Sequence, residues 1–159
     1  MRLRVEMIPK SAWSANLRSL LTQSQWDKVR KKSYALANYQ CDICGVSQKK
    51  LSCHEVWEYD DDTGVQKLVK LEALCNKCHL CKHIGFAFTM HYEGNISLAP
   101  IIEHFLKVNG IAREEFNMYL LKEINIWAER SKKEWTLDVG YLYEFTAKNN
   151  ISIEKQYRT

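Results

Sequence analysis

Two Cys-x-x-Cys pairs constrain this chain more than any other feature. Cys41 and Cys44 form the first pair, and Cys75 and Cys78 the second. Such a pair presents two thiolates on one tight turn, and two pairs supply the four sulfurs that a tetrahedral zinc takes. Gly45 directly follows the first pair and suits the backbone reversal that the turn requires. The spacing predicts a structural zinc held by Cys41, Cys44, Cys75 and Cys78. Any fold the chain adopts must then bring these two distant turns together.

Composition narrows the setting. Arg2 and Arg4 are followed by no apolar run, so no signal peptide is expected. No stretch approaches the ~20 apolar residues of a membrane span, so no membrane association is expected. A cytoplasmic, intracellular and reducing location fits, where Cys-x-x-Cys pairs are metal sites rather than bridges. Cys53 and Cys81 fall outside the four and read as small buried apolar side chains. With 159 residues, 46% of them hydrophobic and 26% charged, the chain is long enough for about one domain. Its net charge of +4 is compatible with a nucleic-acid partner without demanding one.

Hydrophobic periodicity divides the chain into three. Residues 1–38 read as an extended arm ending at Pro9, a short helical stretch from Ser11 to Leu21, and a helix from about Gln25 to Tyr39. Ser24 and Asp27 form a weak capping box for that helix. Its polar side carries Lys28, Arg30, Lys31 and Lys32. Residues 39–88 change period. Leu51–Tyr59 is rich in β-formers, residues 60–64 have turn chemistry, and Val65–Leu71 alternates, which predicts a hairpin. On that alternation Val65, Lys67, Val69 and Leu71 share one face. A helix from Asn76 to about Ile84, ended by Gly85, follows.

Residues 89–159 read as helical. Ser97 caps a helix with Pro100 in its first turn that ends near Gly110. A longer helix, Arg113 to about Lys133, buries a stripe of Phe116, Leu120, Ile124, Trp127 and Ala128. Asp138 caps a last helix through Lys148, and residues 150–159 read as a frayed tail. The expected class is α+β, mainly helical, with a central zinc module.

The histidines add a second centre. His79 and His83 are four apart, so on a helix both imidazoles leave one face as a pair of metal ligands. His54 lies on the first hairpin strand and meets them if the hairpin folds over the helix. His91 and His104 lie outside the module and read as structural or surface residues.

Over about residues 39–88 the chain resembles the HNH nucleases of the ββα-metal fold. The matching elements are the flanking Cys-x-x-Cys pairs, the Leu51-Ser52-Cys53-His54-Glu55 strand, and the helix running from Leu74-Cys75 through Cys78-His79 to His83. The resemblance implies a metal-dependent endonuclease hydrolysing DNA phosphodiester bonds. It implies a structural zinc and a catalytic divalent cation such as Mg2+, Mn2+, Ni2+ or Zn2+. Two arrangements fit. In one, His54 is the general base, Cys53 takes the metal position, and His79 and His83 hold the ion; the family's habit of a histidine base favours it. In the other, His54 joins His79 and His83 as a ligand, as in colicin nucleases, and Glu55 is the base. Counting from Leu51 favours that one. Lys28, Arg30, Lys31, Lys32 and Lys82 are the expected DNA contacts. Lys70 stands where the family's middle asparagine usually falls, so a catalytically inactive, zinc-stabilised DNA-binding module is the alternative.

Overall fold

Residues rich in β-formers build the centre of the fold. In the computed structural model, which describes residues 1–153, strand β1 (Ser52–Asp60) pairs antiparallel with β2 (Val65–Leu74). Asp60 closes the hairpin by accepting the backbone N–H groups of Asp62 and Thr63 at 3.0 and 3.1 Å, and Gly64 supplies a φ of +69°. A short strand β3 (Thr136–Asp138) adds parallel to β2, giving the order β1-β2-β3 with β1 at an edge. Helices α1 (Leu17–Leu20) and α2 (Gln23–Leu36) precede the hairpin. Helices α3 (Asn76–Lys82), α4 (Ile84–Tyr92), α5 (Ala99–Asn109), α6 (Arg113–Arg130) and α7 (Gly140–Lys148) follow it. The class is α+β, mainly helical, as expected. Among the described residues no helix is long and apolar enough to cross a membrane.

The hairpin separates two apolar cores. One face, with α3, α4, α5 and α6, encloses Leu74, Leu80, Ile84, Phe105 and Phe116, and the arm adds Leu3 and Val5. The other face, with α1, α2 and α7, encloses Leu17, Trp26, Val29, Leu68, Leu71 and Phe145, with Cys53 and Trp57 packed against them. The three sequence segments therefore share their cores. The arm is tied down by side chains far along the chain: Leu3 N–H donates to Asn109 Oδ1 at 3.0 Å, and Val5 N–H to Tyr119 Oη at 2.9 Å.

Several local readings change. Strict alternation separates Leu68 from Leu71, yet both enter one core. Val56 faces Lys70 and Trp57 faces Leu68, so Val69 has no cross-strand partner and forms a bulge. One extra residue shifts the period and returns Leu68 to the face of Leu71. The capping box of α2 is Thr22 with Gln25, two residues earlier than Ser24 with Asp27. No side chain caps α5, although Gly110 ends it at φ +65° as expected. On α6, Phe116 and Leu120 are buried, but Ile124 is 37% exposed, because the helix leaves the core there. Asp138 Oδ1 accepts the Gly140 N–H at 2.8 Å at the start of α7. Ile151 N–H bonds Thr146 O, and Ile151 and Ile153 pack on the second core, so residues 150–153 are not frayed as expected. Residues 154–159 of the expected tail lie outside the described residues.

Gly85 does not end the helix begun at Asn76. The break comes at His83, with φ −92° and ψ 51°, and α4 resumes at once through Gly85. The Glu6 N–H takes the Lys82 carbonyl at 2.8 Å, so the arm supplies a partner that a continuous helix would have found within itself. Phe105 is fully buried between the arm's core and α6. Truncating it leaves a cavity, and a Phe105→Ala variant is expected to lose about 3–5 kcal/mol, read by chemical denaturation of the zinc-loaded protein. An unchanged midpoint would remove Phe105 from the core.

Candidate metal centres

The first centre forms where the hairpin ends meet α3. The chain reverses after Cys44: the Gly45 N–H donates to the Cys41 carbonyl at 2.8 Å, and Gly45 sits at φ +75°. Asp42 clips this turn to β2, its N–H bonding Ala73 O at 2.9 Å and its carboxylate accepting Ala73 N–H at 2.7 Å. Cys75 is the N-cap of α3, accepting the Cys78 N–H at its sulfur. The result brings the sulfurs of Cys41, Cys44, Cys75 and Cys78 within 4.8 Å of one another. That donor set fits a metal ion such as zinc. The thiol protons tell the same story. Hydrogen bonds from Cys75 and Cys78 hold the Cys41 thiol far below its usual range. The bond to Cys41 helps push Cys75 up to about 11, and bonds to Cys41 and Cys75 raise Cys78 as well.

His104, from α5, lies with Nε2 at 3.1 Å from Cys78 Sγ. The sequence reads it as a structural or surface residue, and the packing of α5 that brings it to the sulfur joins residues 26 positions apart. Cys81, by contrast, is a buried thiol against the Ile101 carbonyl, as its apolar reading expects.

The second centre lies one helical turn away. His79 and His83 stand at the end of α3, and His54 comes from β1. The ring centroids are 5.5 Å apart for His54–His79 and 4.8 Å for both His54–His83 and His79–His83. One nitrogen from each ring falls within 4.8 Å of the others, a second candidate metal site. Burial pulls the imidazole pKa of His79 down to about 4 and that of His83 to about 3, with His54 adding to both. Both rings are therefore neutral at neutral pH, the form that ligates metal.

Neighbours of His54 on β1 point the other way. Cys53 packs on the α2 side, where burial pushes its thiol up to about 12 despite a bond from Ser33. Cys53 is not part of the three-histidine cluster. Glu55 also lies on the α2 side, and both its oxygens accept the Leu17 N–H, at 3.1 and 3.2 Å. Burial lifts its carboxyl to about 7 against the pull of that N–H. Because β1 is an edge strand, its two faces open into one groove of about 480 Å³, lined by His54, Glu55, His79, His83, Arg18 and Arg30. Glu55 is the only carboxylate in that lining. The groove continues past Arg30, Tyr34 and Leu51 into a second hollow of about 640 Å³ beside Lys49 and Lys50.

The expected basic contacts divide. Arg30 lines the groove while also pairing with Asp27 at 2.7 Å. Lys28 and Lys31 are exposed on α2 and Lys32 is half-buried, and none of the three lines it. Lys82 is 4% exposed and paired with Glu6 and Glu72. It cannot face a phosphate; the arm covers what reads in sequence as a solvated helix position. Arg18 instead lines the groove, and Lys49 and Lys50 line the second hollow; the Lys49–Lys50 doublet close after the first cysteine pair was visible in the sequence.

Family models, curated proteins and solved structures were compared with the chain, and none matches it. The geometry of the two centres therefore carries the functional argument. Structural metal sites supply folding free energy outright. Cys41→Ser and Cys78→Ser are each expected to lose one metal equivalent and the ordered hairpin–α3 unit, seen by native mass spectrometry and circular dichroism. Full metal content in both variants would refute the four-sulfur site.

Proposed function

We propose that the protein is a metal-dependent nuclease of the HNH type that hydrolyses DNA phosphodiester bonds. One observation carries this reading: a hairpin imidazole and two helix imidazoles converge beside a four-sulfur cluster, at the head of a groove lined with cations. A four-cysteine structural zinc needs none of the three histidines, so they support a second metal with a different task. His54, His79 and His83 hold the divalent cation in this reading. The bound cation supplies Lewis-acid neutralisation of the phosphate and of the leaving oxygen.

The general base is Glu55. It is adjacent to His54 in sequence and opens into the same groove from the opposite face of β1. Glu55 accepts a proton from water, the water oxygen bonds to phosphorus, and the bond from phosphorus to the 3′ oxygen breaks with its electron pair staying on that oxygen, which takes up a proton from solvent to leave a 3′-hydroxyl. The Leu17 N–H holds the carboxylate in place. This assigns His54 to the ligand set rather than to the base, in line with the second arrangement drawn from the sequence. Arg18, Arg30, Lys49 and Lys50 contact phosphates along the groove, which gives salt-sensitive and largely sequence-independent affinity.

A plasmid-nicking assay with magnesium, manganese, nickel or zinc tests the reading. Glu55→Gln is expected to lower cleavage by roughly 10²–10⁴-fold, the usual contribution of a positioned base, with DNA binding retained. Wild-type cleavage by that variant would remove Glu55 from the mechanism. An intact plasmid under every metal, with DNA binding retained, would favour the non-catalytic zinc module. Replacing Lys49 and Lys50 together by alanine is expected to reduce the salt slope of duplex binding by roughly 2, about one unit for each lost phosphate contact. An unchanged slope would move the phosphate path elsewhere.

A further inference from the structure

The arm reaches the three histidines through one side chain. Glu6 Oε2 lies 2.7 Å from His54 Nε2, and its other oxygen binds the Lys82 ammonium. Lys82 in turn binds Glu72 Oε2 at 2.9 Å, and Glu72 stands directly across the hairpin from His54. His54 is 3% and Lys82 4% exposed, while the Glu6 side chain is 24% exposed. The backbone fixes the approach, since the Glu6 N–H bonds the Lys82 carbonyl at 2.8 Å. Both oxygens of the Glu6 side chain are thus engaged, one by His54 and one by Lys82.

A neutral imidazole has one protonated nitrogen and one with a free lone pair, and a carboxylate acceptor decides which is which. We propose that Glu6 is the positioning residue of the three-histidine site: it accepts the Nε2 proton of His54, fixes that tautomer, and leaves Nδ1 as the nitrogen that can bind a cation. The proposal rests on the three histidines being a cation site. Carboxylates in this position orient ligand imidazoles and raise their basicity, and their loss weakens metal binding about 10- to 100-fold. Lys82 occupies the other Glu6 oxygen.

The test uses the full chain with its sulfur site already filled by zinc. Co2+ is titrated in and followed by visible absorption, and long-range proton–nitrogen NMR with a second zinc equivalent reads the His54 tautomer. Wild type is expected to take one Co2+ at the histidines and to show His54 protonated at Nε2. Glu6→Ala is expected to bind Co2+ about 10- to 100-fold more weakly and to lose that single tautomer. Glu6→Gln keeps an acceptor oxygen and is expected to restore part of the affinity. It also carries the comparison if Glu6→Ala does not retain its sulfur-site zinc. Wild-type affinity in both variants, or a metal-loaded His54 without an Nε2 proton, would overturn the role of Glu6 alone. A wild-type protein that takes no Co2+ at the histidines would overturn the nuclease reading along with it.

Discussion

The meeting of four sulfurs between the hairpin and α3 governs the rest of the structure. Cys41 and Cys44 sit on a turn before β1, and Cys75 and Cys78 open the helix after β2. Joining them fixes both ends of the hairpin against the start of that helix. Once this angle is set, the first turn after Cys78 carries His79 under β1, and the next carries His83. The two centres are thus one geometric device. The sulfurs hold the scaffold and the imidazoles use the angle it creates. His104 leans on Cys78 from α5, so the C-terminal helices brace the sulfur cluster as well as completing a core.

Electrostatics divides the hairpin into two unlike faces. On the α3 side, His54, Glu6, Lys82 and Glu72 form a buried alternation of charge and imidazole. Buried ions are tolerated only when each has a partner, and here each does. On the α2 side, burial raises the proton affinity of Glu55 against the pull of the Leu17 N–H it accepts. Neighbouring residues of one strand therefore acquire opposite characters from their surroundings. An edge strand permits this, because a groove can reach both of its faces.

The parts of this arrangement that were legible in sequence are those set by local spacing. Two Cys-x-x-Cys pairs and a four-residue histidine interval have a fixed geometric meaning on a turn and a helix. The hairpin announced itself through Val56, Trp57, Tyr59 and the turn at Asp60. Other features depended on distant chain. Strand β3 is three residues long and exists because β2 offers it an edge. The bulge at Val69 comes from the fit of both cores, not from a residue that signals it. Lys82 reads as solvated until the arm covers it, and Glu6 is an ordinary acidic residue until its contact 48 positions away is seen. The break at His83 has the same origin, since the arm supplies the partner for the Lys82 carbonyl.

The hydrogen bonds that seat the arm also set an order of assembly. Leu3 is held by Asn109 and Val5 by Tyr119, contacts 106 and 114 residues apart. Contacts so remote close late, because loop entropy must be overcome first. Glu6 is therefore seated late, after the distant helices that hold the arm have formed. His54 gains its carboxylate partner only when α5 and α6 have docked, so the histidine centre matures after the sulfur clamp that frames it.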